Sequence, residues 1–160
     1  MQSGRRGLVA NLLLSRNNVL LDTSAIIYFL TGREPYMAHL VPLFNRVLTG
    51  QTTAFVSTVT EAELLVRPEK EGDREAALHI ADLLSEDGIE VIPMNRRIAR
   101  RAASVRARHD LAPADAIIVA TAIESGCDAV VGNDRRWQRL DEIDYVHLDA
   151  LAQSSTGSTA

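Results

Sequence analysis

The stretch Val19-Leu20-Leu21-Asp22-Thr23-Ser24-Ala25 joins a short apolar run to an acid and then to a segment of helical period, Thr23 to Leu30. An apolar run without polar alternation suits a strand buried on both faces, and a helix directly behind it opens a strand-helix unit. Four more runs repeat the theme: Ala54 to Val56, Ile89 to Ile92, Ala129 to Val131 and Tyr145 to Leu148. Helical period fills Ala38 to Leu48, Val59 to Val66, Arg74 to Ser85, Arg96 to Arg108 and Pro113 to Ser125. This alternation predicts an α/β domain around a mostly parallel sheet. Gly50, Gly88 and Gly126 each follow a predicted helix, where a left-handed residue commonly closes the last turn.

The composition agrees with one folded domain. The chain has 160 residues, 46% of them hydrophobic and 24% charged, which is enough to enclose a core and far from a disordered composition. The single cysteine, Cys127, excludes an internal disulfide and a cysteine-based metal site and suits a reducing compartment, the cytoplasm by default. A net charge of -4 excludes a bulk polycation, so any contact with nucleic acid must be local, and an aromatic share of 4% argues against a base-stacking platform. Arg5, Arg6 and the apolar stretch Leu8 to Leu14 imitate a signal peptide, but lack a small-residue cleavage site and are too short to span a bilayer. The expected division is an N-terminal extension over 1–17, a domain over 18–150 and a disordered tail over 151–160, whose Gln153 to Ala160 is small and polar.

Several chemistries are missing. No G-x-G-x-x-G, P-loop or G-x-S-x-G pattern occurs, and His39, His79, His109 and His147 have no metal-ligand spacing and read as surface or boundary residues. What remains is a set of acids where one element passes to the next. Asp22 ends the first strand; Glu63 lies in Thr58-Val59-Thr60-Glu61-Ala62-Glu63-Leu64; Asp115 follows Pro113; Asp134 follows Gly132-Asn133. Singly, each has an ordinary explanation: Asp22 and Asp115 sit near helix starts, and Asp134 is a typical turn residue. Glu61 completes a Thr58-x-x-Glu61 capping box, although Thr60 and Glu63 have the same spacing; Glu63 is favoured as the functional acid and Glu61 as structural. Jointly, positions beyond the carboxyl ends of parallel strands meet in one crevice, so four acids distant in sequence can share a pocket.

Asp22-Thr23-Ser24-Ala25, Val59-Thr60-Glu61-Ala62-Glu63-Leu64, Leu111-Ala112-Pro113-Ala114-Asp115-Ala116-Ile117-Ile118-Val119-Ala120-Thr121-Ala122 and Val131-Gly132-Asn133-Asp134-Arg135-Arg136-Trp137 together resemble the PIN-domain nucleases, most nearly the VapC-type toxins of bacterial toxin-antitoxin pairs. The resemblance spans Val19 to Leu148, with the motifs in the family's order. It departs at Gly132, where the family often has threonine, so a hydroxyl is missing from the fourth motif. The resemblance implies a three-layer α/β/α sandwich and a metal-dependent endoribonuclease. Asp22 and Asp115 would be the main ligands of Mg2+ or Mn2+, and Glu63 and Asp134 would complete the pocket directly or through water. Hard oxygen donors suit those ions, and a cation relieves the repulsion among the acids.

A nuclease also needs positive charge around its acids. Arg96, Arg97, Arg100, Arg101, Arg106 and Arg108 crowd the helix before Asp115, and Arg135, Arg136 and Arg139 follow Asp134. Arg97, Arg101, Arg135 and Arg136 are the expected RNA contacts, while Trp137 reads as a core aromatic. By resemblance the partners are an RNA substrate, a cognate antitoxin and a second copy in a homodimer, with no membrane. A PIN-domain nuclease of RNA processing or decay, and a catalytically weak RNA-binding module, are the alternatives.

Overall fold

A computed structural model of the chain describes residues 13–156. Five strands, β1 (Asn18–Leu21), β2 (Thr53–Ser57), β3 (Ile89–Ile92), β4 (Ala129–Gly132) and β5 (Asp144–His147), form one sheet in the order β3-β2-β1-β4-β5. Every pairing is parallel. The helices are α1 (Thr23–Leu30), α2 (Met37–Leu48), α3 (Thr58–Glu71), α4 (Arg74–Leu84), α5 (Arg96–His109), α6 (Pro113–Glu124) and α7 (Leu148–Thr156), with a 3-10 turn over Arg135–Arg139.

The sheet separates two cores because successive side chains of a strand point to opposite faces. Val19 and Leu21 join Ala25, Ile26, Leu40, Phe44, Ile80 and Leu151 on one side. Leu20 joins Ile98, Ala102, Val105, Ile118, Val119 and Trp137 on the other. The result is the expected three-layer α/β/α sandwich, with α5 and α6 forming one outer layer. Ile98, Ala102 and Val105 line the inner face of α5, as their spacing predicts, while α6 buries residues nearly all round, from Ala116 to Ala122. Trp137 is a core aromatic, 1% exposed. Gly88 answers two demands at once: its φ is +90°, and a Cβ there would stand 2.6 Å from the Val47 carbonyl oxygen.

The observed elements differ from the expected ones in four places. First, α3 passes through Pro68 to Glu71 instead of stopping at Val66. Leu64 and Pro68, one turn apart, both bury, and the helix closes only at Gly72, whose φ is +64°. Second, its N-cap is Ser57, whose side chain accepts the Val59 N–H, so the Thr58-x-x-Glu61 box does not form; the Thr58 hydroxyl accepts the Met94 N–H instead. Third, Leu148 starts a helix rather than ending a strand, and the expected disordered tail is helical up to Thr156. Leu148, Leu151 and Ala152 bury at helical spacing, a short apolar stripe that a polar composition concealed. Fourth, residues 13–17 belong to the domain: Leu13 is 1% exposed in the core, and Arg16 pairs with Asp144 at 2.7 Å. The rest of the expected extension, 1–12, and the end of the tail, 157–160, lie outside the described residues.

No helix among the described residues is long and apolar enough to cross a membrane. The packing of α7 yields a direct test. Leu151→Ala should destabilise the protein by about 2–5 kcal/mol, the usual cost of truncating a buried leucine, read as a lower denaturant midpoint with an unchanged slope; an unaltered midpoint would detach α7 from the core.

Candidate functional site

In the order β3-β2-β1-β4-β5 the chain reverses direction of growth between β1 and β4, and the crevice beyond their carboxyl ends is the switch point of the sheet. Asp22 leaves β1 here, its N–H donating to the Val131 carbonyl at 2.9 Å. Its backbone is extended at the head of α1, but its carboxylate makes no capping bond; the Ser24 hydroxyl donates to Oδ2 at 3.4 Å. Only 9% exposed, Asp22 has its pKa pushed up to about 7, first by burial and then, against the lowering effect of the Thr23 N–H, by the charges of Glu63 and Asp115.

Asp115 enters from the first turn of α6, where Pro113 starts the helix at little cost because its missing N–H would have had no partner. Burial raises its pKa, the Arg136 charge opposes that rise, and Asp134 and Glu63 add to it. Asp134 follows β4 and caps the 3-10 turn by accepting the Arg136 N–H at 2.9 Å. The Arg136 guanidinium forms a charge-assisted contact with the same carboxylate and reaches Asp115 Oδ2 at 3.4 Å, so Asp134 is held below the ordinary carboxylate range. Glu63 comes from the second turn of α3 and accepts the Thr23 hydroxyl. The four acids thus approach one another from β1, α3, α6 and β4.

The arginines divide. Arg136 sits among the acids, and Arg135 is exposed on the same turn, its charge felt at Asp149. Arg97 and Arg101 are elsewhere: both bond Glu124, at 2.6 and 2.8 Å. Glu124 lies nine positions beyond Asp115 on α6, about 13 Å along the helix axis at 1.5 Å per residue. Their expected place beside the acids is corrected by the α5–α6 hairpin. Arginines adjacent in sequence to Asp115 start on the far end of an antiparallel helix, and only Arg106 and Arg108, at its C-terminal end, come back toward Pro113. There Arg106 donates to the Leu111 carbonyl and Arg108 pairs with Glu142.

Other polar groups hold the site and escape sequence reasoning. The Asn133 N–H donates to the Ser24 hydroxyl at 3.1 Å, its side-chain amide donates to Tyr28 and Asp149, and its Oδ1 accepts the Asp149 N–H at 2.9 Å. The end of β4 is thereby tied to α1 and α7. Tyr145 of β5 accepts the Asp134 N–H at 2.8 Å. Ser24 and Asn133 lie inside the quoted motifs, but their partners Tyr28, Tyr145 and Asp149 carry no local signal. His147 is buried rather than at the surface, with Nε2 unpartnered, and His109 bonds Glu142 at 2.8 Å and Asp141 at 3.4 Å.

The donor set fits a hard divalent cation. Asp22, Glu63, Asp115 and Asp134 offer only oxygen, Asp22 is buried without a cation of its own, and Arg136 already shows that this pocket draws positive charge. Among the described residues it is His109, Asp141 and Glu142 whose ligand atoms all lie within 4.8 Å of one another, and these are already partners of one another and of Arg108.

The PIN domain pattern matches residues 19–143. The fold is similar to VapBC2 from Rickettsia felis, solved on a DNA fragment from its promoter (TM-score 0.65, 17% identity, 80% of this chain and 96% of that one). It is also similar to FitAcB from Neisseria gonorrhoeae (TM-score 0.63, 20% identity, 81% and 97%) and to VapBC-1 from nontypeable Haemophilus influenzae (TM-score 0.61, 19% identity, 82% and 98%). At these identities the likeness is one of fold. The sequence has no significant match among curated proteins.

The raised Asp22 carboxyl has a consequence for stability. A carboxyl whose folded pKa lies above its unfolded value takes up a proton on folding, so the metal-free protein should lose stability as pH rises from about 4 to 7. The change is on the order of 4 kcal/mol at most, from the shift of 3.8 to about 7. Asp22→Asn should therefore be more stable than the parent at pH 8, and the difference should vanish below pH 4 in paired denaturant titrations. An equal difference at both pH values would mean that Asp22 is not the titrating group.

Proposed function

The chain belongs to the PIN-domain family, and from that premise we propose that it is a metal-dependent endoribonuclease, the toxin of a type II toxin-antitoxin pair. The observation that carries this reading is the meeting of four carboxylates at the switch point of the sheet, one of them buried and pushed toward neutrality. Such an arrangement is unfavourable for a fold alone and suits a site built around a cation. The likeness to solved toxin-antitoxin complexes supports the toxin assignment and an antitoxin partner; a homodimer and a cytoplasmic setting belong to the same proposal.

In this mechanism Asp22 and Asp115 would hold Mg2+ or Mn2+, and Glu63 and Asp134 would complete the pocket directly or through water. The bound ion would polarise the scissile phosphodiester and lower the pKa of water for an in-line attack. Each protein group then has a defined task. The Thr23 hydroxyl fixes the Glu63 carboxylate, and Ser24 steadies Asp22 while linking it to Asn133. Arg136 offsets charge at Asp134 and Asp115, and with exposed Arg135 offers a phosphate a guanidinium on the rim of the pocket. Arg97 and Arg101 could serve only RNA that extends across α5, away from the cleaved bond.

Asp115→Asn should lower RNA cleavage at least about 100-fold, since loss of a metal ligand removes several kcal/mol of transition-state stabilisation, with the far-UV spectrum unchanged. Full activity in that variant would end the metal-nuclease reading. In the same assay Glu63→Gln should cost far more than Glu61→Gln, and the reverse order would exchange their roles. Replacing Arg135 and Arg136 together should flatten the slope of log affinity against log salt by roughly 0.7 for each lost phosphate contact, measured with Ca2+ in place of Mg2+. Replacing Arg97 and Arg101 should leave the binding of a short RNA unchanged; a flattened slope there would return them to the RNA path.

A further inference from the structure

Gly132 ends β4 between two of the site acids, Asp22 across the sheet and Asp134 two residues on. It is absent from the residues of positive φ, so glycine is not required there by backbone conformation. Space requires it. A Cβ at residue 132 would stand 3.0 Å from Asp22 Oδ2, 3.1 Å from Asp22 Cβ and 3.1 Å from the Tyr145 hydroxyl. The volume a side chain would take is thus filled from two sides, by the Asp22 carboxylate and by a phenol from the next strand.

Tyr145 pairs with Val130 in the β4–β5 register, and its hydroxyl reaches two residue pairs further along to arrive beside Gly132. Trp137 and His147 flank it, with ring centroids 5.7 and 6.0 Å away. Its hydroxyl accepts the Asp134 N–H at 2.8 Å. A phenol also has one hydrogen to give. The oxygen shares the gap at Gly132 with the Asp22 carboxylate while it holds the Asp134 N–H.

Resting on the metal-nuclease reading above, we infer that Tyr145 is a positioning residue of the acid site: lodged in the gap at Gly132 beside the Asp22 carboxylate, its hydroxyl anchors the Asp134 backbone and so fixes where the Asp134 carboxylate stands for the cation. Residue 132 itself carries no hydroxyl; the neighbouring strand supplies one to the same spot. Outer groups that orient metal ligands typically influence metal affinity 10–100-fold.

The test is Mn2+ affinity, followed by the electron paramagnetic resonance signal of the free ion, on the full chain and on Asp22→Asn, Tyr145→Phe, Gly132→Ala and the double variant Gly132→Ala/Tyr145→Phe. Asp22→Asn should abolish binding. Tyr145→Phe should bind about 10–100-fold more weakly, with its circular dichroism intact and, at saturating Mn2+, an unchanged KM for RNA. Gly132→Ala should weaken binding in the parent and do so less on top of Tyr145→Phe, because the alanine then has one neighbour fewer to displace. Unchanged affinity in a folded Tyr145→Phe, alongside a dead Asp22→Asn, overturns the role of Tyr145 and leaves the nuclease reading standing. Binding that survives Asp22→Asn, or no binding by the parent, overturns both. Should Tyr145→Phe fail to fold, fluorotyrosine replaces the three tyrosines, and the resonance left after Tyr28→Phe and Tyr36→Phe reports residue 145. It should move on adding Mg2+, and a fixed position overturns the inference.

Discussion

Like charges crowded beyond the ends of β1 and β4 are the constraint around which this molecule is arranged. Asp22 is the most exposed to that conflict: buried, next to Glu63 and Asp115, and with no cation of its own. A carboxylate there is tolerated because the surrounding framework is stiff. Asp22 is bonded through its backbone to β4, and Ser24, Asn133 and Asp149 link α1, β4 and α7 through a chain of hydrogen bonds. The parallel sheet, with its two separate cores, supplies the rigidity, and the repulsion is concentrated at one point on its rim.

This division explains what could be read from the sequence. Apolar runs such as Val19 to Leu21 and Ala129 to Val131 bury on both faces, and that environment leaves an unmistakable composition. The acids were legible for a related reason. A carboxylate at a strand end is a local feature, and the topology of a parallel sheet carries all such ends to the same rim.

The features that could not be read are those set by partners distant in sequence. Arg97 and Arg101 are close to Asp115 along the chain, but an antiparallel hairpin turns adjacency into separation, and Glu124 takes both. Tyr145 has no neighbouring motif, and its place is visible only when Gly132 and Asp22 are seen on either side of it. The terminal helix was hidden by its own brevity: three apolar positions, Leu148, Leu151 and Ala152, suffice to dock it, whereas the polar residues around them dominate a composition count. Thr58-x-x-Glu61 erred in the opposite sense, since a correct local pattern lost to Ser57 one residue earlier and to a tertiary bond from Met94.

Two aspartates of the same pocket are driven in opposite directions, and the difference is chemical rather than positional. Asp134 receives the Arg136 backbone N–H and its guanidinium, so its charged form is favoured and its pKa falls. Asp22 receives a long hydrogen bond from Ser24 and is shielded from water, so its charged form is disfavoured. Environments that push equivalent groups apart mark a site where proton occupancy has consequences. Here the consequence is a pocket with one end fixed as an anion by an arginine and the other end gaining its charge near neutrality. An incoming divalent cation would therefore complete a charge balance that Arg136 has begun, with Asp22 as the group whose ionisation it must win from a proton.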